Sequence, residues 1–353
     1  MALSTTLTRV YNSLLALTLD KVRNKLTDAI TSANALYFMY KDNGTWETVD
    51  SLGDRLRVPI MTEQTLGDSF SGLGPVETTP TDGITDAFYE WRQYATRIVI
   101  ADIEKARNKG KEQIVSLLAS RTQQAMAGAQ EFFTRALAQG QGMIDTTSIA
   151  TPRVSPVNGS SFIDPLGLLI KAVPSTGPTV GAVDPTVADN VFWRNQVVDS
   201  AATTFAGLLG EVDHLINLCS QGAGGGPDLF ISDMGAHEVV KKALFTLNRF
   251  NDYKRADFPF QHLYLNGAPY VWDRYIVDAK TGSTTITKGT LYAISSKFCG
   301  VTVYSGANFT PGEFVRPENG AGEVSLVQWY GAHWTSRRDK LGLLMDIDNT
   351  LAA

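Results

Sequence analysis

The stretch DGITDAFYEWRQYATRIVIADIEKARNKGKEQIVSLLASR, residues 82–121, contains the two elements that decide the fold. Residues 87–100 predict a β-strand, and large apolar side chains fall on both of its faces. Gly110 separates a short helical turn at 102–108 from a long helix that we predict for residues 111–137. At 1.5 Å per residue this helix would be roughly 40 Å long, and we call it the spine helix.

The predicted strand has a partner upstream. Residues 52–61 predict a strand that ends near Pro59, and residues 62–86 are rich in Gly, Thr, Pro and Asp, as loops are. A loop of roughly two dozen residues is unusual inside a compact domain. An isolated two-stranded ribbon is also unstable in water. We therefore expect this hairpin to project from its own chain and to be buried against another subunit.

The remaining segments complete the outline. Residues 3–39 predict an amphipathic, mostly helical arm, because apolar residues recur at steps of three and four. Residues 143–190 are rich in Pro, Gly, Ser and Thr and predict irregular structure at the start of a second domain. Helices are expected at 199–219 and 234–249. The glycine run at 222–226 between them predicts a flexible linker, since a dinucleotide-binding loop would follow a strand and precede a helix.

Composition excludes several classes of function. The 353 residues carry a formal net charge of −5, without the basic excess of proteins that grip DNA directly. The two cysteines, Cys219 and Cys299, are too few for a disulfide framework and fit no metal-site spacing. We find no signal peptide and no stretch long enough to span a membrane. The sequence therefore predicts a soluble, cytoplasmically made protein with no metal and no cofactor.

One segment matches a catalytic motif. Residues 343–351, LLMDIDNTL, fit the apolar strand and DxDxT of haloacid-dehalogenase phosphatases, in which Asp346 would attack phosphate and Asp348 would handle the proton. That motif opens its own fold, whereas only three residues follow Thr350 here, so the match is attributed to chance. The four histidines are scattered, and we assign no catalytic residue.

Charge is distributed unevenly around the predicted hairpin. The loop contains no Lys or Arg between Arg57 and Arg92, and the segment after the hairpin is basic. We expect the acidic loop of one subunit to lie over the basic segment of its neighbour; the alternative is two ordinary solvated stretches, since exposed charge pairs contribute little. The expected contact residues are Glu63, Asp68, Glu77, Asp82, Lys105, Arg107, Lys109 and Lys111.

This order of elements resembles the Hong Kong 97-type major capsid protein of tailed bacteriophages, an α+β fold. Residues 82–121, FWRNQVVD at 192–199, PDLFISD at 227–233 and VQWYGAHWTSRRDKLGLL at 327–344 carry the resemblance. It implies hexamers and pentamers that close an icosahedral head around phage double-stranded DNA. It also implies a structural protein that is not an enzyme.

The resemblance divides the chain into five parts: an N-terminal arm at 1–45, an extended β-hairpin loop at 46–100, a peripheral domain with the spine helix at 101–142, an axial domain with peripheral-domain strands at 143–322, and C-terminal return strands of the peripheral domain at 323–353.

The resemblance also predicts partners and a location. We expect a portal protein, packaged DNA bound without sequence specificity, a decoration protein in some shells, and no membrane. The arm is too short to be a fused scaffold, which implies a separate scaffolding protein and assembly in the bacterial host cytoplasm, with the virion capsid as destination. Some relatives cross-link through a lysine on the extended loop, but no lysine lies between Lys41 and Lys105. The alternatives are an encapsulin-like nanocompartment shell and the phosphatase.

Overall fold

The computed structural model of the chain describes residues 40–41, 45–62, 69, 71–72, 83–107, 117–139, 163–176, 179–247, 263–276, 278–279, 288–317 and 322–351. The chain divides into two compact units. The described residues of unit 1 lie within 93–133 and 304–330, and those of unit 2 lie within 34–92, 134–303 and 331–353.

Strands and helices alternate irregularly along the described residues. The strands are β1 (Trp46–Val49), β2 (Leu56–Met61), β3 (Ile84–Tyr89), β4 (Arg92–Ala101), β5 (Gln196–Asp199), β6 (Leu229–Ser232), β7 (Leu263–Leu265), β8 (Ala268–Trp272), β9 (Gly289–Ile294), β10 (Cys299–Pro311), β11 (Gly322–Thr335) and β12 (Gly342–Ile347). The α-helices are α1 (Asp102–Arg107), α2 (Leu117–Gln139), α3 (Leu166–Leu169), α4 (Phe205–Ser220) and α5 (Met234–Leu247). Short 3-10 helices cover Ala188–Trp193, Ser296–Phe298 and Arg338–Lys340.

A six-stranded mixed sheet, in the order β5-β12-β9-β6-β8-β7, forms the core of unit 2. Strand β12 pairs in parallel with β5 and antiparallel with β9, while β6 pairs antiparallel with β9 and in parallel with β8. Every residue of β6 and β9 is buried. A strand that is covered on both faces is apolar along nearly its whole length, which explains the sequences LFIS and GTLYAI.

Helices α4 and α5 pack on this sheet. The buried side chains of α4 recur at steps of three and four residues, from Phe205 through Leu208, Val212 and Leu215 to Cys219, as expected of an amphipathic helix. The helix begins after Thr204, whose side-chain hydroxyl accepts a hydrogen bond from the backbone N–H of Gly207. This N-cap satisfies one of the free amides of the first turn. The predicted helix at 199–219 is therefore confirmed with a later start.

The second sheet has four strands in the order β1-β10-β11-β4. Within unit 1 its strands meet the spine helix α2 through aromatic side chains. The ring of Phe133 lies 4.6 Å from that of Trp329 and 5.6 Å from that of Phe309, and Tyr94 stacks on Phe132 at 4.6 Å. Aromatic pairs at these distances stabilise a core beyond the area they bury. The long helix is thus confirmed over Leu117–Gln139, and residues 111–116 lie outside the described residues.

The predicted strand at 87–100 is wrong as a single element. The chain leaves the strand conformation at Glu90 and Trp91. Strand β3, before the break, forms a two-stranded sheet with β2, whereas β4, after it, is an edge strand of the four-stranded sheet. Large apolar side chains on both faces had suggested one strand buried on both sides; they belong to two strands with different surroundings.

The glycine run 222–226, which the sequence predicts to be a flexible linker, lies in the loop between α4 and β6. The Arg337 guanidinium donates a hydrogen bond to the backbone oxygen of Ala223 over 2.6 Å. At Gly224, φ is +115° and an added Cβ would lie 2.6 Å from the ring of Phe298. The run is a loop held against neighbouring side chains, and Gly224 is needed because only glycine allows this close approach.

Candidate assembly surface

The β2–β3 hairpin has two distinct faces. Its register pairs Leu56 with Tyr89 and continues to Met61 with Ile84. Because side chains alternate along a strand, three pairs point to each side. The inner face comprises Leu56, Val58, Ile60, Thr85, Ala87 and Tyr89, all of them buried or half-buried. The outer face comprises Arg57, Pro59, Met61, Ile84, Asp86 and Phe88, of which only Asp86 is not exposed.

Large apolar side chains dominate the hairpin outer face. Met61 and Ile84 are each 72% exposed, and Phe88 is 39% exposed. Arg57 and Asp86 form an ion pair on the same face. The Pro59–Asp86 pair lies between Phe88 and the Met61–Ile84 pair. Single exposed apolar residues are ordinary, but several large ones on one face make that face a candidate for protein contact. This surface is the candidate site.

The inner face meets residues of the same unit. Ala87 and Tyr89 are almost completely buried, and the Tyr89 hydroxyl donates a hydrogen bond to the backbone oxygen of Thr335 over 2.7 Å. Burial of the hairpin against another subunit therefore stays a prediction, and it can concern the outer face alone. The hairpin's inner face is covered by its own chain, and its outer face is left exposed.

Unit 1 carries a second group of exposed apolar residues. On the edge strand β4, burial alternates so that Ile98 and Ile100 are buried while Val99 is exposed. Further exposed members are Ile103, Val315 and Leu326. The other exposed residues of β4 are Gln93, Ala95 and Arg97, so its solvent face is mixed. An exposed edge strand nevertheless presents unpaired backbone groups to another chain.

None of the eight predicted contact residues can be located by its side chain. Glu63, Asp68, Glu77, Asp82, Lys109 and Lys111 lie outside the described residues. Lys105 and Arg107 lie in α1, where only the backbone is described. Met61, Ile84 and Phe88 are not among the contact residues predicted from the sequence. Residues 59–61 are all apolar, so no alternation along this strand distinguishes its outer face from its inner face.

A buried Cys–His–Tyr cluster in unit 2 could be mistaken for a catalytic site. His333 Nδ1 lies 2.7 Å from the backbone oxygen of Asp164, so Nδ1 carries the proton and Nε2 accepts. The Tyr40 hydroxyl is 3.0 Å from Nε2, and the Cys299 sulfur is 3.6 Å from it. Burial lowers the pKa of His333 to about 4 and raises the pKa of Cys299 to about 12.

A reactive cysteine needs a lowered pKa and access to solvent. Neither condition holds for Cys299, which is completely buried. The cluster instead fixes Tyr40, the first described residue after the predicted arm, to β10 and β11. Its role is structural.

Arg338 forms a second buried polar centre in unit 2. Its guanidinium is fully buried and donates to the backbone oxygens of Leu169 (2.8 Å) and Trp193 (2.9 Å) and to Asn195 Oδ1 (3.0 Å). Asn195 in turn accepts from the backbone N–H of Lys171 over 3.0 Å. Burial lowers the pKa of Arg338 to about 10, so the side chain remains charged at neutral pH. Arg338 thereby joins three segments that are far apart in sequence.

The DxDxT segment forms a turn at the end of β12. Asp348 Oδ1 accepts hydrogen bonds from the Thr350 hydroxyl (2.7 Å) and backbone N–H (2.8 Å), and these bonds lower the pKa of Asp348. Asp346 lies 3.8 Å from Lys288 Nζ. An Asp side chain that accepts a hydrogen bond from the backbone two residues later is a common feature of turns.

Within the described ranges, no group of three or more His, Cys, Asp or Glu side chains could hold a metal ion. The helices among those same residues include none with the length and apolar character needed to cross a membrane.

Comparison with known proteins gives a fold. No family model matches the chain, and no curated protein matches it. Among solved structures, the capsid of cyanophage A-1(L) has a TM-score of 0.59 at 11% identity, covering 94% of this chain and 98% of that chain. The capsid of a native GTA particle has a TM-score of 0.57 at 12% identity, covering 98% and 100%.

An encapsulin has the same fold. The SrpI encapsulin of Synechococcus elongatus has a TM-score of 0.50 at 13% identity and covers 100% of this chain and 99% of its own. The likeness therefore extends over nearly the full length of both chains. Together these likenesses confirm the predicted fold: the chain has the Hong Kong 97-type capsid fold.

Proposed function

We propose that this chain is a major capsid protein, a structural subunit that is not an enzyme. Copies would form hexamers and pentamers that close an icosahedral head around phage double-stranded DNA. The observation that carries this proposal is the hairpin outer face, which exposes Met61, Ile84 and Phe88 on a capsid-type fold. In a shell, neighbouring copies would cover such a surface, since closed symmetry gives every copy the same contacts.

The absence of a catalytic role is supported by the chemistry of the two motif-like sites. The Cys299–His333 pair is buried with both groups neutral at pH 7. The Asp348 carboxylate is occupied by Thr350. A phosphatase using Asp346 would require magnesium-dependent hydrolysis of a phosphate ester that is lost in Asp346→Asn.

The contacts of the shell are proposed to be non-covalent and partly electrostatic. No lysine is available between Lys41 and Lys105 for a cross-link from the extended loop. We propose that the acidic loop, with Glu63, Asp68, Glu77 and Asp82, lies over the basic segment of a neighbouring copy. Charge complementarity of this kind sets the register of a contact more than its affinity.

The partners and the five-part domain division follow from the same proposal. A separate scaffolding protein would guide assembly. A portal protein would occupy one vertex, and decoration proteins would bind the outside of some shells. DNA would be enclosed without sequence-specific binding, since a net charge of −5 provides no basic excess. Assembly would take place in the cytoplasm of the bacterial host, and the finished protein would reside in the virion.

An encapsulin-like shell is the alternative, because SrpI shares the fold, but its TM-score of 0.50 is below the 0.59 and 0.57 of the cyanophage and GTA capsids, so this alternative is not favoured. The two functions differ in what the shell contains. Native particles would be enriched with an antibody against this chain, treated with nuclease and opened. Protected double-stranded DNA is expected for a phage head, whereas a uniform protein cargo without DNA would support the encapsulin.

Assembly itself is tested with the expressed chain. At concentrations high enough for subunits to associate, we expect the chain to form capsomers and shell-like particles. These particles should sediment and be visible by electron microscopy. A chain that stays monomeric at every concentration, alone or with its scaffolding protein, would contradict the proposal. Uniform closed shells from the chain alone would remove the need for a scaffold.

A further inference from the structure

We propose that the turn at Val180–Val183 is a positioning element that fixes the direction of the β2–β3 hairpin within one subunit before any neighbour is contacted. This inference rests on the proposed function, because a hairpin direction matters only if its outer face must meet another copy. Gly181 and Tyr89 are the positioning residues.

The turn has a geometry that few residues adopt. Val180 and Val183 exchange two backbone hydrogen bonds of 3.1 Å, and the two residues between them have φ of +59° (Gly181) and +62° (Ala182). Two consecutive left-handed residues between the paired valines are characteristic of a type I′ turn, which connects antiparallel segments through two residues. The turn is also tied to the interior, since Trp193 Nε1 donates to the backbone oxygen of Val180 over 2.8 Å.

The turn contacts the hairpin at its Tyr89 end. The backbone N–H of Phe88 donates to the backbone oxygen of Gly181 over 2.9 Å. A Cβ added to Gly181 would lie 2.9 Å from the Cβ of Ala87 and 3.0 Å from the ring of Tyr89. Real Cβ atoms do not approach so closely, so glycine is required here for space as well as for conformation.

A second anchor comes from another part of unit 2. The Tyr89 hydroxyl donates to the backbone oxygen of Thr335 over 2.7 Å and lies 3.2 Å from the Thr335 backbone N–H. Two attachment points from distant segments hold Ala87, Phe88 and Tyr89. The outer-face pair Met61 and Ile84 lies at the opposite end of the ladder. A ribbon held at two points of one end has a fixed direction at the other.

The first measurement is hydrogen exchange on unassembled subunits. In the wild type, the peptide spanning 84–89 is expected to be protected. Gly181→Ala should speed its exchange about tenfold or more, while the central strand β6 stays unchanged. Ala182→Gly is the matched control. Ala182 lies in the same turn but is exposed, whereas Gly181 is the residue next to Ala87 and Tyr89. The control variant should leave hairpin exchange as in the wild type.

The second measurement is the distribution of shell diameters by electron microscopy. Gly181→Ala should broaden it or yield open sheets, and Ala182→Gly should not. If Gly181→Ala also speeds exchange in β6, the fold itself has been lost. Tyr89→Phe, which keeps the ring and removes the bonds to Thr335, then takes its place with the same expected results.

Two results would overturn the inference: a wild-type hairpin that exchanges as fast as an unstructured peptide, or a variant with a loosened hairpin and unchanged shells. Both leave the proposed function intact. A wild type that forms no shells contradicts the proposed function, and with it the positioning role, whatever the exchange data.

Discussion

Met61 and Ile84 face each other across the β2–β3 ladder, and each side chain is 72% exposed. A cross-strand pair of large apolar residues normally contributes to a core. Here the pair lies on the hairpin outer face together with Phe88, while the inner face is already covered by the chain's own residues. The exposed pair therefore buries little surface within the described subunit, and most of its surface is available to a neighbour.

Charging this pair should block assembly without unfolding the subunit. In Met61→Asp/Ile84→Asp, burial of the outer face in a shell would place two carboxylates in an apolar contact, which costs several kcal/mol. We expect the sedimentation profile to lose shells and retain subunits with wild-type circular dichroism. Ile84→Val, which keeps the surface apolar, should assemble normally. Shells of normal size from the double aspartate variant would contradict the assignment of this face.

Reversing the basic segment tests the electrostatic contact. In Lys105→Glu/Arg107→Glu/Lys109→Glu, the segment would repel the acidic loop of a neighbour, so assembly should fail while each subunit folds. High salt should partly restore assembly of the variant and weaken wild-type assembly, because salt screens both repulsion and attraction between exposed charges. Exchanging the same three residues for other cations (Lys105→Arg, Arg107→Lys, Lys109→Arg) is the control. If the glutamate variant built normal shells, the contact would be refuted.

A shell without cross-links should dissociate completely in hot detergent. We expect a single band at the 38.4 kDa monomer mass after boiling, because the loop carries no lysine for an isopeptide bond. Mass spectrometry of the digested shell should find no linked peptides. A ladder of multiples above the monomer would show that another residue supplies the link.

Arg338 is predicted to be a costly position to replace in unit 2. Arg338→Met would remove the buried donor from the backbone oxygens of Leu169 and Trp193, and Asn195 Oδ1 would keep only the N–H of Lys171. Breaking a buried charged network typically costs about 3–5 kcal/mol. Urea unfolding of unassembled subunits would measure the loss, and Arg97→Met, at an exposed site of β4, should change stability by less than about 0.5 kcal/mol. A similar small change in Arg338→Met would refute the role.

Sequence patterns predicted the elements that depend on local chemistry. The apolar spacing of α4 and the continuous apolar runs of β6 and β9 were sufficient because each reports burial along its own length. The α+β fold followed from the order of these elements together with the family resemblance. Local patterns did not predict the break at Glu90 and Trp91. The break occurs because β3 pairs with β2 in one sheet, whereas β4 pairs with β11 in another.

The candidate surface was only partly predictable, for a related reason. Acidic and basic runs are visible in the sequence, but the covered face of the hairpin depends on Gly181 and Thr335, which lie far away along the chain. The contact of the run at 222–226 with Arg337 could not be predicted for the same reason, because Arg337 lies far away along the chain.

The buried state of His333 predicts how stability depends on pH. Its pKa is about 4 in the folded chain and about 6.5 when exposed. Below pH 6.5 the unfolded chain binds a proton that the folded chain does not, so stability falls as the pH drops from about 6.5 towards 4. The groups around the ring, Tyr40, Cys299 and the Asp164 backbone, provide no compensating negative charge at neutral pH, and the Asp164 carboxylate is paired with Arg92.

Replacing this histidine should remove that part of the pH dependence. The free energy of unfolding of wild-type subunits is expected to fall by up to about 3 kcal/mol between pH 6.5 and 4 on account of His333 alone. His333→Gln cannot take up a proton, so its stability should be lower than wild type at pH 7 but should decline less steeply with acid. His214→Gln, at an exposed site on α4, serves as the control and should keep the wild-type slope. Parallel urea titrations at several pH values would measure all three, and equal slopes for wild type and His333→Gln would show that acid acts elsewhere.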